Sequence, residues 1–273
     1  MQCLVTALKA ESEPLIEFFG LTKDNSLGFP FYCNVTNDIV LIGVGVGKKN
    51  IKYRINKVFQ HFNNNSIQFI NIGVAGGIIG KVEIGQLFLI NKIYDESSGL
   101  VFYPEMLTKS SLKEASITTV ENVVLDGGNR FNSLVDMEAS EVFFVCSKLV
   151  SLHNIAHMKI ISDHMTNINN FNYQMISKLI RKNLSNISLF IEHFKYLSQV
   201  SEQLLLDRDK LWVKLNKEKY LFTESQINQL LKSVKAFKLK NPNNVLPHIK
   251  YDRPSSKNNG KKILQKIREK LKT

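Results

Sequence analysis

The feature that most constrains the fold is a set of apolar, β-branched runs that end in small or polar residues. The run at 67–77, IQFINIGVAGG, ends in two glycines, and the run at 157–163, HMKIISD, ends in serine and aspartate. Such continuous apolar runs are typical of strands buried on both faces of a parallel sheet. A third, short run, CLVTA, lies at 3–7. The candidate carboxyl ends of the three strands are residues 7–11, 74–77 and 162–163. We expect a site at these ends, because ligands of such sheets bind beyond the carboxyl ends of the strands.

Strand and helix patterns alternate through residues 1–200. Further strands are predicted at 31–36 and 38–44, joined by a turn at Asn37-Asp38, and at 82–93. Helices are predicted after the first strand to residue 17, at 49–62, at about 137–150 and at about 170–197. This order predicts a three-layer α/β/α domain with a central twisted, mixed sheet.

Residues 201–273 form a separate, basic part of the chain. They contain 18 Lys/Arg and 7 Asp/Glu, and so carry +11 of the net charge of +12. Helices are predicted at 200–219, from a capping box at Thr223–Gln226 to about Lys238, and over the final KKILQKIREKLKT. A Pro- and Asn-rich linker is predicted near 241–260. We therefore divide the chain into a domain of residues 1–200 and a mainly helical extension of residues 201–273.

Cysteine spacing and hydropathy exclude several classes of protein. Cys3, Cys33 and Cys146 are far apart and odd in number, which argues against a disulfide framework and a cysteine metal site. The first residues lack the basic and apolar regions of a secretory leader. No apolar stretch approaches the ~18 residues that a membrane helix needs. We expect a cytoplasmic protein with no metal, no organic cofactor and no membrane partner.

Five segments carry a resemblance to a known family. They are ALKAESE at 7–13, GVGKKN at 45–50, NIGVAGG at 71–77, VDMEAS at 135–140 and KIISDHM at 159–165. In this order and at this spacing they resemble the 5′-methylthioadenosine/S-adenosylhomocysteine nucleosidases of the nucleoside phosphorylase superfamily. The resemblance implies that family's fold, a purine nucleoside as the small-molecule partner, and a homodimer.

The resemblance also implies three carboxyl groups around one glycosidic bond. Asp163 is expected to be the acid that protonates the departing purine, which requires burial to raise the pKa of that carboxyl well above the usual ~3.9. Glu138 is expected to accept hydrogen bonds from the ribose hydroxyls, with Met137 packed against the ribose face. Glu11 is expected to deprotonate the attacking water. One carboxyl for the leaving group and another for water is the logic of glycosidases.

The remaining expected substrate contacts lie in the same motifs and in one loop. They are Val74 and Gly76 near the sugar, Ser162 beside the acid, Lys159 four residues before it, and the backbone of Asn122 and Val123 near the base. Two positions differ from the family pattern: Val74 stands where the nucleosidases generally have Ser or Thr, and Lys159 where they usually have Arg. The purine and its 5′ substituent therefore stay open.

Three functions remain distinct on the sequence alone. A phosphorylase needs cationic and amide donors for phosphate, whereas the first loop offers the acid Glu11, which favours hydrolysis. The first hypothesis is therefore a nucleosidase, and the second is a purine nucleoside phosphorylase. The third is a nucleoside-sensing or nucleic-acid-associated protein with a weakened site. Val74 and the basic residues 201–273 are the features that favour it.

Overall fold

Ten strands of the described residues form one mixed sheet. The computed structural model describes residues 1–36, 38–62, 67–107, 110–166, 172–203, 205–241, 244–254 and 257–271. The strands are β1 (Gln2–Thr6), β2 (Thr22–Lys23), β3 (Phe31–Cys33), β4 (Ile39–Gly43), β5 (Gln68–Gly76), β6 (Leu87–Asp95), β7 (Val101–Phe102), β8 (Lys113–Thr119), β9 (Leu134–Asp136) and β10 (Ile155–Asp163). The helices are α1 (Lys9–Phe18), α2 (Ile51–Phe62), α3 (Ala139–Leu149), α4 (Tyr173–Gln203), α5 (Asp207–Tyr220), α6 (Glu224–Lys240) and α7 (Lys257–Lys270).

The centre of the sheet is parallel. Strand β5 lies between β1 and β10 and runs parallel to both, and β4 extends the parallel part beside β1. Beyond β10 the order continues through β6, β8 and β9, and β9 meets β5 again where Val135 pairs with Gly76. Strands β5, β10, β6, β8 and β9 thus close into a ring. This closure brings β9 to the carboxyl end of β5, next to the ends of β1 and β10.

Helices cover both faces of the sheet. Alternate residues of the strands enter two cores, since successive side chains of a strand point to opposite faces. In β1, Cys3 and Val5 enter the core that α2 and α3 cover, and Leu4 enters the core beneath α1 and α4. The predicted three-layer α/β/α arrangement with a mixed central sheet is confirmed.

Most predicted elements of this part of the chain are present, with shifted ends. The strand expected at 82–93 begins only at Leu87, because Gln86 and Gly85 form a turn in which the Gly85 φ is +86°. The helix expected from residue 137 begins at Ala139, whose amide is bound by the Asp136 side chain. β3 and β4 are antiparallel as expected, although Asn37 lies outside the described residues. Helix α4 is described from Tyr173, and the predicted start near Asn170 also lies outside them.

The contacts divide the chain into two compact units, Met1–Ser198 and Gln199–Thr273. The second unit has its own core, formed by apolar side chains of α5, α6, α7 and the segment between α6 and α7. The capping box at the start of α6 is present. The Gln226 amide donates a hydrogen bond to Thr223 Oγ1, and the Thr223 amide donates one to Gln226 Oε1. The predicted linker is non-helical over 244–254, and α7 begins at Lys257, earlier than expected.

None of the helices in the described part of the chain combines the length and the apolar character needed to cross a bilayer.

Candidate active site

A cavity of about 300 Å³ opens where the carboxyl ends of β1, β5, β9 and β10 meet. Its size is at the low end of small-molecule sites. The described residues that line it are Ala7, Leu8, Glu11, Val46, Val74, Ala75, Gly76, Val120, Val123, Val124, Leu125, Val135, Asp136, Met137, Glu138, Ser162, Asp163 and Met165. Four of these carry carboxyl groups, and none is lysine or arginine. The cavity is therefore an apolar chamber with an acidic set of polar groups.

Glu11 is fixed by three backbone amides. Its Oε2 accepts hydrogen bonds from the amides of Ala7 (2.8 Å) and Leu8 (2.9 Å), and its Oε1 accepts one from Val74 (2.8 Å). The carboxylate thus satisfies amides at the start of α1 and joins β1 to β5. A carboxylate offers about four acceptor positions, so one direction is left for a water molecule. Burial raises the pKa of Glu11, against the Lys159 charge and the backbone hydrogen bonds, and a higher pKa makes the carboxylate a stronger base.

Gly73 gives Glu11 its room. A Cβ atom on Gly73 would lie 2.7 Å from Glu11 Oε1 and 3.2 Å from its carboxyl carbon. Both distances are shorter than normal contacts, and Glu11 is held at three points. The glycine is therefore required by the close approach of the Glu11 carboxyl group.

Asp163 is oriented by a bulge at the end of β10. The β10–β5 register shifts between Ile161 and Asp163, so that Ser162 is an extra residue on β10. Bulges of this kind re-aim side chains and are frequent beside active sites. The Ser162 hydroxyl donates to Asp163 Oδ2 (2.6 Å), and the Met165 amide donates to Oδ1 (2.8 Å). The half-buried carboxyl therefore has a fixed orientation at the cavity wall.

Glu138 lies at the N-terminus of α3 and is held by the 45–48 turn. The amide of Gly47, which has a φ of +76°, donates to Glu138 Oε1 at 2.6 Å. Burial, together with the neighbouring Asp136 carboxylate, raises the pKa of Glu138 to about 7. Its carboxyl group therefore changes charge near neutral pH.

Lys159 and Asp136 form a buried ion pair beside these carboxyls. The Lys159 Nζ lies 2.8 Å from Asp136 Oδ2. Burial opposes the charge of Lys159, but the surrounding carboxylates, Asp136 first, raise its pKa. Asp136 also accepts the Thr119 hydroxyl (2.8 Å) and the Ala139 amide (2.9 Å). The pair thus supplies a cation to an otherwise acidic site and anchors the start of α3.

The apolar wall depends on Met165, which has a φ of +58°. Its side chain packs with Val120, Val124, Phe131 and Val135. It also fills space that two glycines leave free: a Cβ atom on Gly76 would lie 2.5 Å from Met165 Cγ, and one on Gly128 2.3 Å from Cε. A left-handed methionine held in this way is a strained backbone position at a candidate site.

Eight of the ten predicted site residues line this one cavity: Glu11, Val74, Gly76, Val123, Met137, Glu138, Ser162 and Asp163. Asn122 lies at a bend, is exposed and is outside the lining, whereas the following Val123 and Val124 line the cavity. Lys159 also lies outside the lining, because its ammonium group is turned to Asp136.

Three contributors were not predicted. Asp136, Met165 and the Gly47 amide each stand within a motif that the sequence analysis used. Asp136 precedes the Met137-Glu138 pair, but only the buried contact with Lys159 shows its role. Met165 depends on a backbone angle that a sequence pattern does not reveal.

The second unit contains a larger groove, of about 1060 Å³, which runs between the start of α6 and α7. Its described polar residues are mostly exposed, and Glu269 is the single carboxyl among them. The first unit therefore holds the stronger candidate for chemistry. Within the described residues, no group of three or more His, Cys, Asp or Glu side chains is placed to hold a metal ion.

Comparison with known proteins identifies the fold. No protein-family model matches the sequence, and no curated protein matches it. Among solved structures, the chain is similar to the 5′-methylthioadenosine/S-adenosyl homocysteine nucleosidase of Helicobacter pylori (18% identity, TM-score 0.57, 70% of this chain and 97% of that one). It is also similar to the 5′-methylthioadenosine nucleosidase of Arabidopsis thaliana (17%, 0.57, 71% and 95%) and to futalosine hydrolase of H. pylori (20%, 0.55, 70% and 97%). The resemblance predicted from the five motifs is thus confirmed for the fold, which this chain shares with these nucleoside hydrolases.

Proposed function

We propose that the chain hydrolyses the N-glycosidic bond of a purine nucleoside. The observation that carries the proposal is the convergence of Glu11, Glu138 and Asp163 on one cavity. In the proposed reaction, the bond from ribose C1′ to purine N9 breaks and its electron pair leaves with the base. Asp163 gives a proton to the base, Glu11 takes a proton from water, and the water oxygen bonds to C1′. Glu138 accepts hydrogen bonds from the ribose hydroxyls and lies near the positive charge that develops on the sugar.

The charge of the lining favours water over phosphate as the nucleophile. The described lining carries the carboxyls of Glu11, Asp136, Glu138 and Asp163, and no lysine or arginine. Lys159 is the nearby cation, and Asp136 already binds it. A phosphate would meet repulsion without a cationic partner, whereas Glu11 has one acceptor position for water. We therefore favour hydrolysis over phosphorolysis.

The substrate we propose is an adenosine-type nucleoside with an apolar or thioether 5′ substituent. The nucleosidases of similar structure are described as acting on 5′-methylthioadenosine and S-adenosylhomocysteine, and one neighbour is a futalosine hydrolase. The walls here are valine, leucine and methionine side chains, which suit a flat base and an apolar tail. Val74 contributes its amide to Glu11 and only an apolar surface to the cavity.

The test is release of free base, followed by chromatography, from 5′-methylthioadenosine, S-adenosylhomocysteine, adenosine and inosine, with and without phosphate. We expect release in phosphate-free buffer and a loss of about 10²–10⁴-fold in Asp163→Asn. The matched control is Asp252→Asn, an exposed aspartate of the second unit. Release that requires phosphate would identify a phosphorylase. Equal rates in Asp163→Asn and the parent would remove Asp163 from the reaction.

We further propose a homodimer in which a second copy covers the mouth of the cavity. Val46 and Val123 line the cavity but are 57% and 61% exposed, and Leu125 beside them is also exposed. Apolar side chains exposed at the entrance of a site are typical of an interface. Light scattering after size exclusion should give twice the chain mass, and Val123→Lys should give the monomer.

A cytoplasmic location is also part of the proposal, because the cysteines are free thiols and two of the three are buried.

One observation favours a second activity of the basic unit, nucleic-acid binding. Leu264 and Ile267 of α7, and Leu271 directly after it, are buried in that unit's core, so the outward side of the helix presents Lys262 and Lys266. A membrane would need the buried apolar side, whereas a phosphate backbone needs the lysines. Binding of the full chain to a 20-nucleotide RNA or DNA should weaken as the salt concentration rises. At a fixed salt concentration, Lys262→Glu/Lys266→Glu should lower the affinity more than Lys52→Glu/Lys57→Glu does. Equal binding by both double variants would refute this activity.

A further inference from the structure

We propose that Asp95 is a positioning residue that holds Glu138 in place for the ribose hydroxyls. The inference rests on the proposed function and adds a residue that the motifs did not include. Asp95 is buried at the end of β6 and is not part of the cavity lining. Any influence on the reaction must therefore pass through other residues. Two sets of contacts give it a route to Glu138.

The first route runs through the 45–48 turn. The Lys48 Nζ donates to both carboxylate oxygens of Asp95, at 2.9 and 2.8 Å. Lys48 follows Gly47, whose amide donates to Glu138 Oε1. Because Gly45 and Gly47 both have positive φ, the turn depends on glycine and needs an anchor to hold one conformation. The ion pair with Asp95 is that anchor.

The second route runs through helix α3. The Ser140 hydroxyl donates to Asp95 Oδ2 at 2.8 Å, and Ser140 lies two residues after Glu138. One carboxylate therefore binds both the helix that carries Glu138 and the turn that binds it. The contacts form a closed ring from Glu138 through Gly47, Lys48, Asp95 and Ser140. Removal of one link loosens the carboxylate without touching the cavity wall.

Asp95 is itself firmly held. The amides of Ser97 and Ser98 and the Ser97 hydroxyl donate to its Oδ1. Burial disfavours the charged form, but the hydrogen bonds from Lys48, Ser97 and Ser140 outweigh it and hold the pKa of Asp95 well below its usual range. The ring therefore keeps its charge across the neutral range, in which Glu138 titrates.

A consequence follows for substrate selection. If Glu138 recognises ribose hydroxyls, the parent should prefer 5′-methylthioadenosine over its 2′-deoxy counterpart by about 10- to 100-fold in kcat/KM, as expected of hydrogen bonds to a charged group. A displaced Glu138 loses this preference, because small shifts of a positioned group are costly in catalysis. A variant that merely loses folded protein slows both substrates equally. The ratio of the two kcat/KM values thus separates positioning from stability.

The experiment compares Asp95→Asn, Ser140→Ala and Lys48→Met with the parent. We expect the preference for the ribonucleoside to fall by about tenfold in each. Lys48→Arg, which keeps the ion pair, should retain most of it. The matched controls are Ser147→Ala on the last turn of α3 and Lys52→Met on α2, which should keep the parental ratio. A second readout is hydrogen exchange of the Gly47 amide by NMR, which should accelerate in Asp95→Asn.

The two readouts distinguish the failure of each proposal. A parental substrate ratio in Asp95→Asn, or an unchanged exchange rate of the Gly47 amide, overturns the role of Asp95. A parent that releases no base from any nucleoside overturns the proposed function. In that case the Gly47 exchange rate alone decides whether Asp95 holds the Glu138 contact.

Discussion

The ammonium group of Lys159 lies 2.8 Å from the Asp136 carboxylate, and both side chains are almost completely buried. Asp136 faces the cavity on its other side, whereas Lys159 does not. The charge of Lys159 also acts on Glu138 and Glu11 and favours their ionised forms. One buried cation therefore balances the acidic side of the candidate site.

Lys159→Met should be strongly destabilising, because it leaves a buried carboxylate without its cation. We expect the free energy of unfolding in urea to fall by about 3–5 kcal/mol. Lys92→Met, an exposed lysine of β6, is the control and should change little. Adding Asp136→Asn to Lys159→Met should recover part of the loss. A loss below about 1 kcal/mol in the single variant would show that the pair adds little net stability.

The pH dependence of activity should carry the titration of Glu138. Its pKa is raised to about 7, and its ionised form is the stronger acceptor for ribose hydroxyls. The ratio of kcat/KM in the parent to that in Glu138→Gln should therefore increase by about tenfold per pH unit below 7 and level off above it. The measurement is base release between pH 5 and 9. A ratio that does not vary with pH would mean that the charge of Glu138 is not used.

Gly73→Ala should act through Glu11. The added methyl group would lie 2.7 Å from Glu11 Oε1, so the carboxylate must leave the Val74 amide. We expect a loss of about 1–3 kcal/mol in unfolding free energy, together with slower base release. In a Glu11→Ala background the clash is gone, and the same substitution should cost clearly less. Equal costs in both backgrounds would show that the glycine serves the strand rather than Glu11.

Much of the candidate site follows from strand ends. Glu11 follows an apolar run, Val74 and Asp163 lie near the ends of two others, and the carboxyl ends of neighbouring parallel strands meet at one edge of a sheet. Glu11 and Asp163 could therefore be predicted to lie together, whereas Glu138 was expected from the family resemblance and Asp136 was not predicted. The same rule does not describe how β9 joins β5, because that pairing depends on the closed ring of strands rather than on a local pattern.

Two of the expected substrate contacts, Asn122 and Lys159, stay predictions, because neither side chain lines the cavity. The backbone of Asn122 and Val123 is expected near the base; the Asn122 side chain is exposed at a bend, and Val123 lines the cavity. Lys159 is expected near the substrate; its ammonium group pairs with Asp136, and this partner is distant in sequence. The orientation of Asp163 requires the extra residue Ser162 on β10, and a bulge leaves no mark in an apolar run. These features need long-range contacts, which residue patterns do not contain.

His157 should make the folded state sensitive to acid. It is fully buried in β10, its Nδ1 lies 3.3 Å from Asn71 Oδ1, and its Nε2 has no hydrogen-bond partner among the residues that the structure describes. Burial, with a smaller effect of Lys159, lowers its pKa from 6.5 to about 3. Between these values the unfolded chain binds a proton that the native chain excludes. The contribution of His157 to stability is therefore complete above pH 6.5 and falls by about 1.4 kcal/mol per pH unit as pH decreases towards 3.

Glu138 has the opposite effect, since its native pKa of about 7 exceeds the usual value of 4.5 and its contribution to stability is lost as pH rises from 4.5 to 7. The parent's own stability profile therefore mixes both groups, and a variant is needed to separate them. In urea titrations from pH 4 to 7, the difference in unfolding free energy between the parent and His157→Gln should decrease as pH falls. His193→Gln, an exposed histidine of α4, should give a constant difference. The slope is the decisive quantity, because the substitution also changes packing against Phe143. Parallel profiles for the parent and His157→Gln would show that the His157 imidazole becomes protonated in the native state as readily as in the unfolded chain.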